Sequence, residues 1–238
     1  MKILAIGNSF SQDATRYLQK IGESTGTDLF VRNAYIGGCS LEMHANNAKS
    51  EEKVYEYQKD ADKIEDISLT GAIQKEKWDF ITVQQASHFS GKYETYEPYL
   101  SELIAHIKQH APQAKIVFHR TWPYEKGSTH GAFPDYGCDR TLMYEKIVGA
   151  SAVAAERYGL DIIPAGDIIY ALGQTDYFDK ENGGVSLYRD GFHLGWIYGR
   201  YLAALVWYKF FTGNDVSAVT YIPKEAEKEI IEILKKSL

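Results

Sequence analysis

Cysteine is nearly missing from this chain: Cys39 and Cys138 are the only two in 238 residues, and they form no CxxC pair. Two cysteines cannot build a disulfide framework, and two free thiols are the reading that fits a reducing compartment. Long apolar runs are missing too, and none approaches the roughly 18 residues of a membrane-spanning helix. The opening MKILAIGNSF has too short an apolar run for a signal peptide and no small-residue cleavage site. It reads as a first strand, with a cytoplasmic location expected. Positive charge is not in excess. There are 26 Lys and Arg against 32 Asp and Glu, a net charge of −6. That disfavours nucleic acid and anionic membranes as main partners, because both reward clustered cations. No internal repeat, low-complexity stretch or Pro/Gly linker divides residues 1–238, so a single domain is expected.

What is present is an ordinary globular composition, 45% hydrophobic and 24% charged, in a strand–helix alternation. Aromatics reach 13%, with 18 Tyr. Tyr suits a polar ligand that must also be stacked, as well as plain boundary packing. Apolar runs predict strands over Lys2–Ile6, Asp28–Tyr35, Trp78–Val83, Lys115–His119 and Leu160–Ile163. Helical spacing predicts helices over Gln12–Thr25 with Ser11 as a cap, and over Leu41–Asp60, Tyr96–His110, Arg140–Tyr158, Tyr198–Phe211 and Pro223–Leu238. Apolar strands separated by helices imply parallel strands with right-handed crossovers, hence a three-layer α/β/α sheet. Ligands of such sheets bind outside the carboxyl ends of the strands. That places attention on Gly7–Ser11, Ile36–Ser40, Gln84–His88 and His119–Tyr124.

Each of these loops has a chemical reading and a plain one. Ser9, in Gly7-Asn8-Ser9-Phe10-Ser11, stands where a strand gives way to a helix. Free N–H groups there favour developing negative charge, although Ser is also a common N-cap. Gly37-Gly38 permits close approach of a ligand to backbone N–H groups, or simply makes a tight turn. Gln84-Gln85 puts two amides at the end of a buried strand. They are either oxyanion donors or partners of the sheet edge. Asp190-Gly191-Phe192-His193 spaces a carboxylate and an imidazole so that one nitrogen is held and the other is free as a base, or it is a cap with a surface His.

Together the four blocks resemble the SGNH/GDSL hydrolases, from Gly7 to His193. The resemblance implies a flavodoxin-like, three-layer fold with five parallel strands ordered 2-1-3-4-5. It implies Ser9 as nucleophile, His193 as base and Asp190 as its orienting partner. The backbone of Ser9, Gly38 and the amide of Gln85 become the oxyanion hole, with Gly37 and Gln84 as alternatives for the last two. No metal or cofactor is implied. The chain departs from the usual pattern with Gly-Asn-Ser-Phe in place of Gly-Asp-Ser-Leu, and with Gln in place of the Asn of the third block. Gln occurs there in members that resemble sialate and xylan acetylesterases. The blocks GNSFS, GGCSLE, QQAS, TWPYE and DGFHL are similar to an uncharacterised bacterial subfamily.

The expected activity is removal of a short acyl group, acetyl above all, from a carbohydrate or similar polar alcohol. Trp122 and Tyr124, with Gln84, are expected to bind the substrate. They lie in a loop that also carries Arg120, Glu125, His130, Phe133 and Tyr136, and aromatic faces near polar groups suit sugar rings. The rivals are a catalytically silent carbohydrate-binding protein on the same fold and an esterase for lipid acyl chains, which would need a long apolar channel. Gly22–Gly26 spells GxSxG at a helix end rather than at the strand–helix elbow that motif needs. His119, His130 and Cys138 lack the paired spacing of a zinc site.

Overall fold

Successive residues of a strand point to opposite faces of a sheet, and in β1 (Lys2–Gly7) both faces are apolar. Ile3 and Ala5 enter one core cluster, and Leu4 and Ile6 the other. A strand covered on both sides belongs in the middle of a three-layer domain. The computed structural model, which describes residues 1–238, places it there. The other strands are β2 (Phe30–Tyr35), β3 (Tyr55–Lys59), β4 (Asp62–Ile67), β5 (Phe80–Val83), β6 (Lys115–His119) and β7 (Asp161–Ile163). They form one sheet in the order β4-β3-β2-β1-β5-β6-β7.

The five strands β2, β1, β5, β6 and β7 run parallel, in register Ile3↔Val31, Ala5↔Thr82, Thr82↔Val117 and His119↔Ile163. This is the expected order, with two further strands beside it. β3 and β4 are antiparallel and extend the sheet beyond β2. β3 occupies the end of the segment expected to be one helix over Leu41–Asp60, and β4 follows just beyond it. The helix there is α3 (Leu41–Ser50). The turn joining β3 to β4 is Asp60-Ala61, both with positive φ (50° and 67°). That is the backbone of a two-residue hairpin without the glycine that usually announces one. β4 is exposed except for Ile67 and carries Asp62, Lys63, Glu65 and Asp66, the charged edge that discourages pairing with another chain.

One face of the sheet is covered by α1 (Ser9–Thr15), α2 (Leu18–Ser24), α7 (Ala165–Leu172), α8 (Tyr198–Thr212) and α9 (Lys228–Lys236). The other is covered by α3, α4 (Leu69–Gln74) and α5 (Tyr99–His110). α6 (Arg140–Tyr158) gives Met143 and Ile147 to one cluster and Ala150 and Ala154 to the other. It therefore closes the sheet at the β7 edge. The expected helix over Gln12–Thr25 is split at Arg16–Tyr17 into α1 and α2. Gly22–Gly26 falls at the end of α2, with Gly26 at φ 70°. No helix is long and apolar enough to cross a membrane.

Candidate active site

β1 lies between β2 and β5, where the chain's connections change direction across the sheet. The carboxyl end of such a strand opens into a crevice. Ser9 follows it as the first residue of α1. The cap of that helix is Asn8 rather than the expected Ser11. Asn8 Oδ1 accepts from the N–H of Phe10 at 3.0 Å, while the buried Ser11 hydroxyl donates back to the Asn8 carbonyl at 2.8 Å. Capping by Asn8 leaves the Ser9 hydroxyl uncommitted to its own helix. As the first helical residue, Ser9 also has an N–H with no intrahelical acceptor.

The Ser9 hydroxyl donates to His193 Nε2 at 2.8 Å. His193 Nδ1 donates to Asp190 Oδ2 at 2.7 Å. Asp190 Oδ1 accepts the backbone N–H groups of His193 and Phe192 at 2.8 and 3.2 Å. The four-residue turn thus orients its own carboxylate. Gly191 makes this possible, because its φ of 86° is a conformation that other residues adopt at a cost. A Cβ there would also meet Ser128 at 3.0 Å. Burial pushes the Asp190 carboxyl upward, but hydrogen bonds from the His193 ring and backbone, with the His193 charge, outweigh it and hold Asp190 below its ordinary value. His193 lies in an irregular bend five residues before α8, so its tautomer is set by Asp190 and not by a helix dipole.

A cavity of about 180 Å³ opens over Ser9 and His193, lined also by Gly38, Ser87, His88, His130 and Phe192. Gly38 adopts φ 66°, and its N–H takes part in no backbone hydrogen bond. Two N–H groups, of Ser9 and Gly38, are therefore free at the cavity. His88 and His130 are both held below the ordinary imidazole value. Burial is the main cause for each, followed by the charge of His130 on His88 and of His193 on His130.

Residues 2–237 match the family model described as a domain of unknown function, DUF4886. The chain belongs to the DUF4886 family. A crystal structure of a DUF4886 family protein from Bacteroides uniformis ATCC 8492 is 36% identical, with a TM-score of 0.89 over 100% of this chain and 92% of that one. A candidate SGNH hydrolase from Slackia heliotrinireducens is 24% identical, with a TM-score of 0.62 over 89% of this chain and 98% of that one. A family 3 carbohydrate esterase from Clostridium thermocellum is 15% identical, with a TM-score of 0.52 over 88% and 94%. No curated protein matches. This DUF4886 chain has the SGNH hydrolase fold.

Several residues expected at the site are elsewhere. Gln85 does not aim its amide at the cavity. Its Nε2 donates to the carbonyl and hydroxyl of Thr95 at 3.0 and 3.1 Å, and its Oε1 accepts from Leu41 and Ala86 N–H at 3.0 and 2.8 Å. Leu41 opens α3, so Gln85 satisfies a helix N-terminus and ties it to the end of β5. Gln84 is buried and bonded to Asn8 and His119. Trp122 is fully buried, stacked on Phe10 at 4.3 Å, and its Nε1 donates to the Phe192 carbonyl at 2.9 Å. Tyr124 is also fully buried, with its hydroxyl on Ser87 at 3.0 Å. These rings support the site from beneath and offer no face to a substrate. Arg120 forms a two-pronged pair with Asp167, and Glu125 bonds Ser186. Of the polar residues in that loop, His130 reaches the cavity.

Asp13 was not expected to matter to the site. It is fully buried and accepts from Arg189 at 3.0 Å, Arg200 Nε at 2.7 Å and the Leu194 N–H at 2.9 Å. It pins the bend carrying Asp190 and His193 onto the helix carrying Ser9. The signal in the sequence was Arg200, a charge in the apolar helix α8, whereas Asp13 lies among polar neighbours in α1 and nothing local marked it.

Two further imidazoles, His44 and His119, are fully buried, and burial pushes both down to about 3 from an ordinary 6.5. In the unfolded chain they take up protons near the ordinary value, so between about pH 3 and 6.5 the unfolded state binds more protons. Stability therefore rises with pH across that window. Asp190, with its lowered value, loses its contribution in the same direction as pH falls. The thermal midpoint is expected to drop steadily from about pH 7 to about pH 4.5, and His44→Phe should flatten the slope. A midpoint that is constant or rises on acidification would contradict the burial of these rings.

Proposed function

We propose that this chain is a serine esterase acting on short acyl esters of a carbohydrate or similar polar alcohol. The observation that carries the reading is the unbroken line of hydrogen bonds from Ser9 through His193 to Asp190, with two free N–H groups beside it. His193 Nε2 takes the Ser9 proton as Ser9 Oγ attacks the ester carbonyl carbon. The carbonyl oxygen becomes an oxyanion facing the N–H groups of Ser9 and Gly38. Collapse expels the alcohol, which leaves with the proton from His193, and the acyl group stays on Ser9. Water, deprotonated by His193, then releases the acid and restores the serine.

Two features favour a short acyl group. The cavity of about 180 Å³ is below the range of about 300–1,000 Å³ typical of larger ligands, and its apolar lining is limited to Phe10, Ala86 and Phe192. His88 and His130 in its lining supply hydrogen-bonding groups suited to a hydroxylated leaving group. On nitrophenyl esters, kcat/KM is expected to be highest for acetate or propionate and to fall by at least about 10-fold at octanoate, since the longer chain must leave its extra methylenes in water. Release of acetate from a panel of acetylated sugars then tests the alcohol. Preference for octanoate, or no acetylated sugar accepted, would remove the carbohydrate assignment while leaving the Ser9 mechanism standing.

A further inference from the structure

We propose that His119, Gln84 and Asn8 form a buried positioning relay that fixes the two oxyanion-donor turns, those of Ser9 and Gly38, relative to one another. The inference rests on the esterase reading of this site and assigns roles to three residues that touch no substrate.

The relay is a directed chain of hydrogen bonds. His119 Nδ1 donates to Gln84 Oε1 at 2.9 Å. Gln84 Nε2 donates to Asn8 Oδ1 at 2.9 Å. Asn8 Nδ2 donates to the carbonyl of Cys39 at 2.9 Å, and that carbonyl belongs to the residue after Gly38. Asn8 Oδ1 also accepts the Phe10 N–H, the residue after Ser9. One carboxamide thus grips both turns. All three side chains are buried, at 2% exposure or less. Bonds of this kind, removed from water, hold geometry firmly and leave a costly orphan when one partner is lost.

The direction is determined at its ends. The Phe10 N–H can only donate and the Cys39 carbonyl can only accept, so the Asn8 amide has one satisfactory orientation. Gln84 must then present N–H to Asn8 and its carbonyl to His119. His119 must carry its proton on Nδ1. Its Nε2 has no hydrogen-bond partner and sits among apolar rings, with Trp207 edge-on at 5.0 Å and Trp122 at 5.9 Å. The imidazole is packed where only its neutral, Nδ1-protonated form fits. Space forces the same arrangement from the other side. A Cβ on Gly7 would meet Gln84 Cδ at 3.0 Å and Ser11 Oγ at 2.5 Å, so only glycine lets the Gln84 amide lie against β1.

The relay also explains why this chain reads Gly-Asn-Ser where the SGNH pattern has Gly-Asp-Ser. A carboxylate at position 8 could accept from Phe10 and Gln84 but could not donate to Cys39. Asn8→Asp, nominally a return to the common residue, is therefore expected to lower activity here.

The experiment compares wild type with Gln84→Met, Asn8→Asp, His119→Leu and His119→Asn. It measures kcat and KM for nitrophenyl acetate and the rate at which a fluorophosphonate modifies Ser9. Thermal midpoint and circular dichroism establish the folded fraction. Displacing an oxyanion donor by an ångström or less should cost about 10- to 100-fold. Gln84→Met, Asn8→Asp and His119→Leu are expected to show that loss in kcat and in the phosphonylation rate, per folded molecule, with KM within about 2-fold. His119→Asn, whose amide N–H replaces the Nδ1 donor, should recover most of it. Rates per folded molecule that match wild type, a loss confined to KM, or no difference between His119→Leu and His119→Asn would overturn the relay. A wild type that neither turns over ester nor reacts with the fluorophosphonate would remove the esterase reading and the relay with it. A reactive wild type with unaffected variants would remove the relay alone.

Discussion

Ser9→Ala should lower ester turnover by on the order of 10⁴-fold or more, because the Ser9 hydroxyl is the one hydrogen-bonded to His193 Nε2. The protein should stay folded. Ser9 is the first residue of α1, and its side chain caps nothing. The cap is Asn8, and the hydroxyl's bond is to His193. His193→Ala should be nearly as severe, since the two residues act as one unit and their losses do not add. Asp190→Asn should cost less than either. It keeps the Oδ1 acceptor for the turn but places an amide where the His193 Nδ1 donor needs an acceptor, so the ring is left in the wrong tautomer. A nitrophenyl acetate assay with stability measured in parallel checks all three. Ser9→Ala retaining a tenth or more of wild-type turnover would contradict the proposed role.

Asp13→Ala should have the largest effect on stability of any single carboxylate change. The carboxylate is fully buried, and its removal leaves Arg200 Nε and the Leu194 N–H without their acceptor and Arg189 with the Leu194 carbonyl alone. Breaking a buried pair from one side typically costs about 3–5 kcal/mol, against a total stability of about 5–15 kcal/mol. The thermal midpoint should fall by on the order of 10 °C. Activity per folded molecule should fall as well, because Arg189 and Leu194 bracket Asp190 and His193. Thermal unfolding followed by circular dichroism, with turnover corrected for folded fraction, separates the two effects. A midpoint within a degree or two of wild type would show that the pin is not structural. Normal turnover in the folded fraction would show that it does not position the base.

Much of the fold was legible because its signals are local. Buried parallel strands announce themselves as short apolar runs, and five of the seven were marked that way, with ends off by two residues or fewer. The two that were missed, β3 and β4, form a hairpin at the sheet edge. β4 is charged and exposed, and the turn uses Asp60 and Ala61 in left-handed conformation, so no glycine marked the hairpin. Tyr55 and Tyr57 alternate with polar residues and are both buried. That alternation was the available signal.

The candidate site divides in the same way. Ser9, His193 and Gly38 line one cavity, and Asp190 holds His193 from behind. The errors concern side chains whose role depends on what lies behind them. Gln84 and Gln85 are neighbours on one strand end, so they point in opposite directions, and both amides are taken up by buried partners. Trp122 and Tyr124 sit in a loop at the right end of the sheet, but a loop of that size folds over its own aromatic residues. Nothing in a linear sequence shows which rings are covered. Arg200 and His119 were legible only as oddities, a charge and an imidazole in apolar stretches, and Asp13, among polar neighbours, was not legible at all. Such residues are buried only with partners, and here the partners organise the site.

The central claim is that Ser9 is a nucleophile activated by His193. Peptide mapping after exposure to a fluorophosphonate tests it without knowledge of the natural substrate. The account predicts one adduct, on Ser9, that forms in wild type, is lost in His193→Ala, and removes ester turnover in proportion to its extent. Modification at another residue, or unmodified Ser9 in a protein that continues to hydrolyse esters in the presence of the reagent, would contradict it.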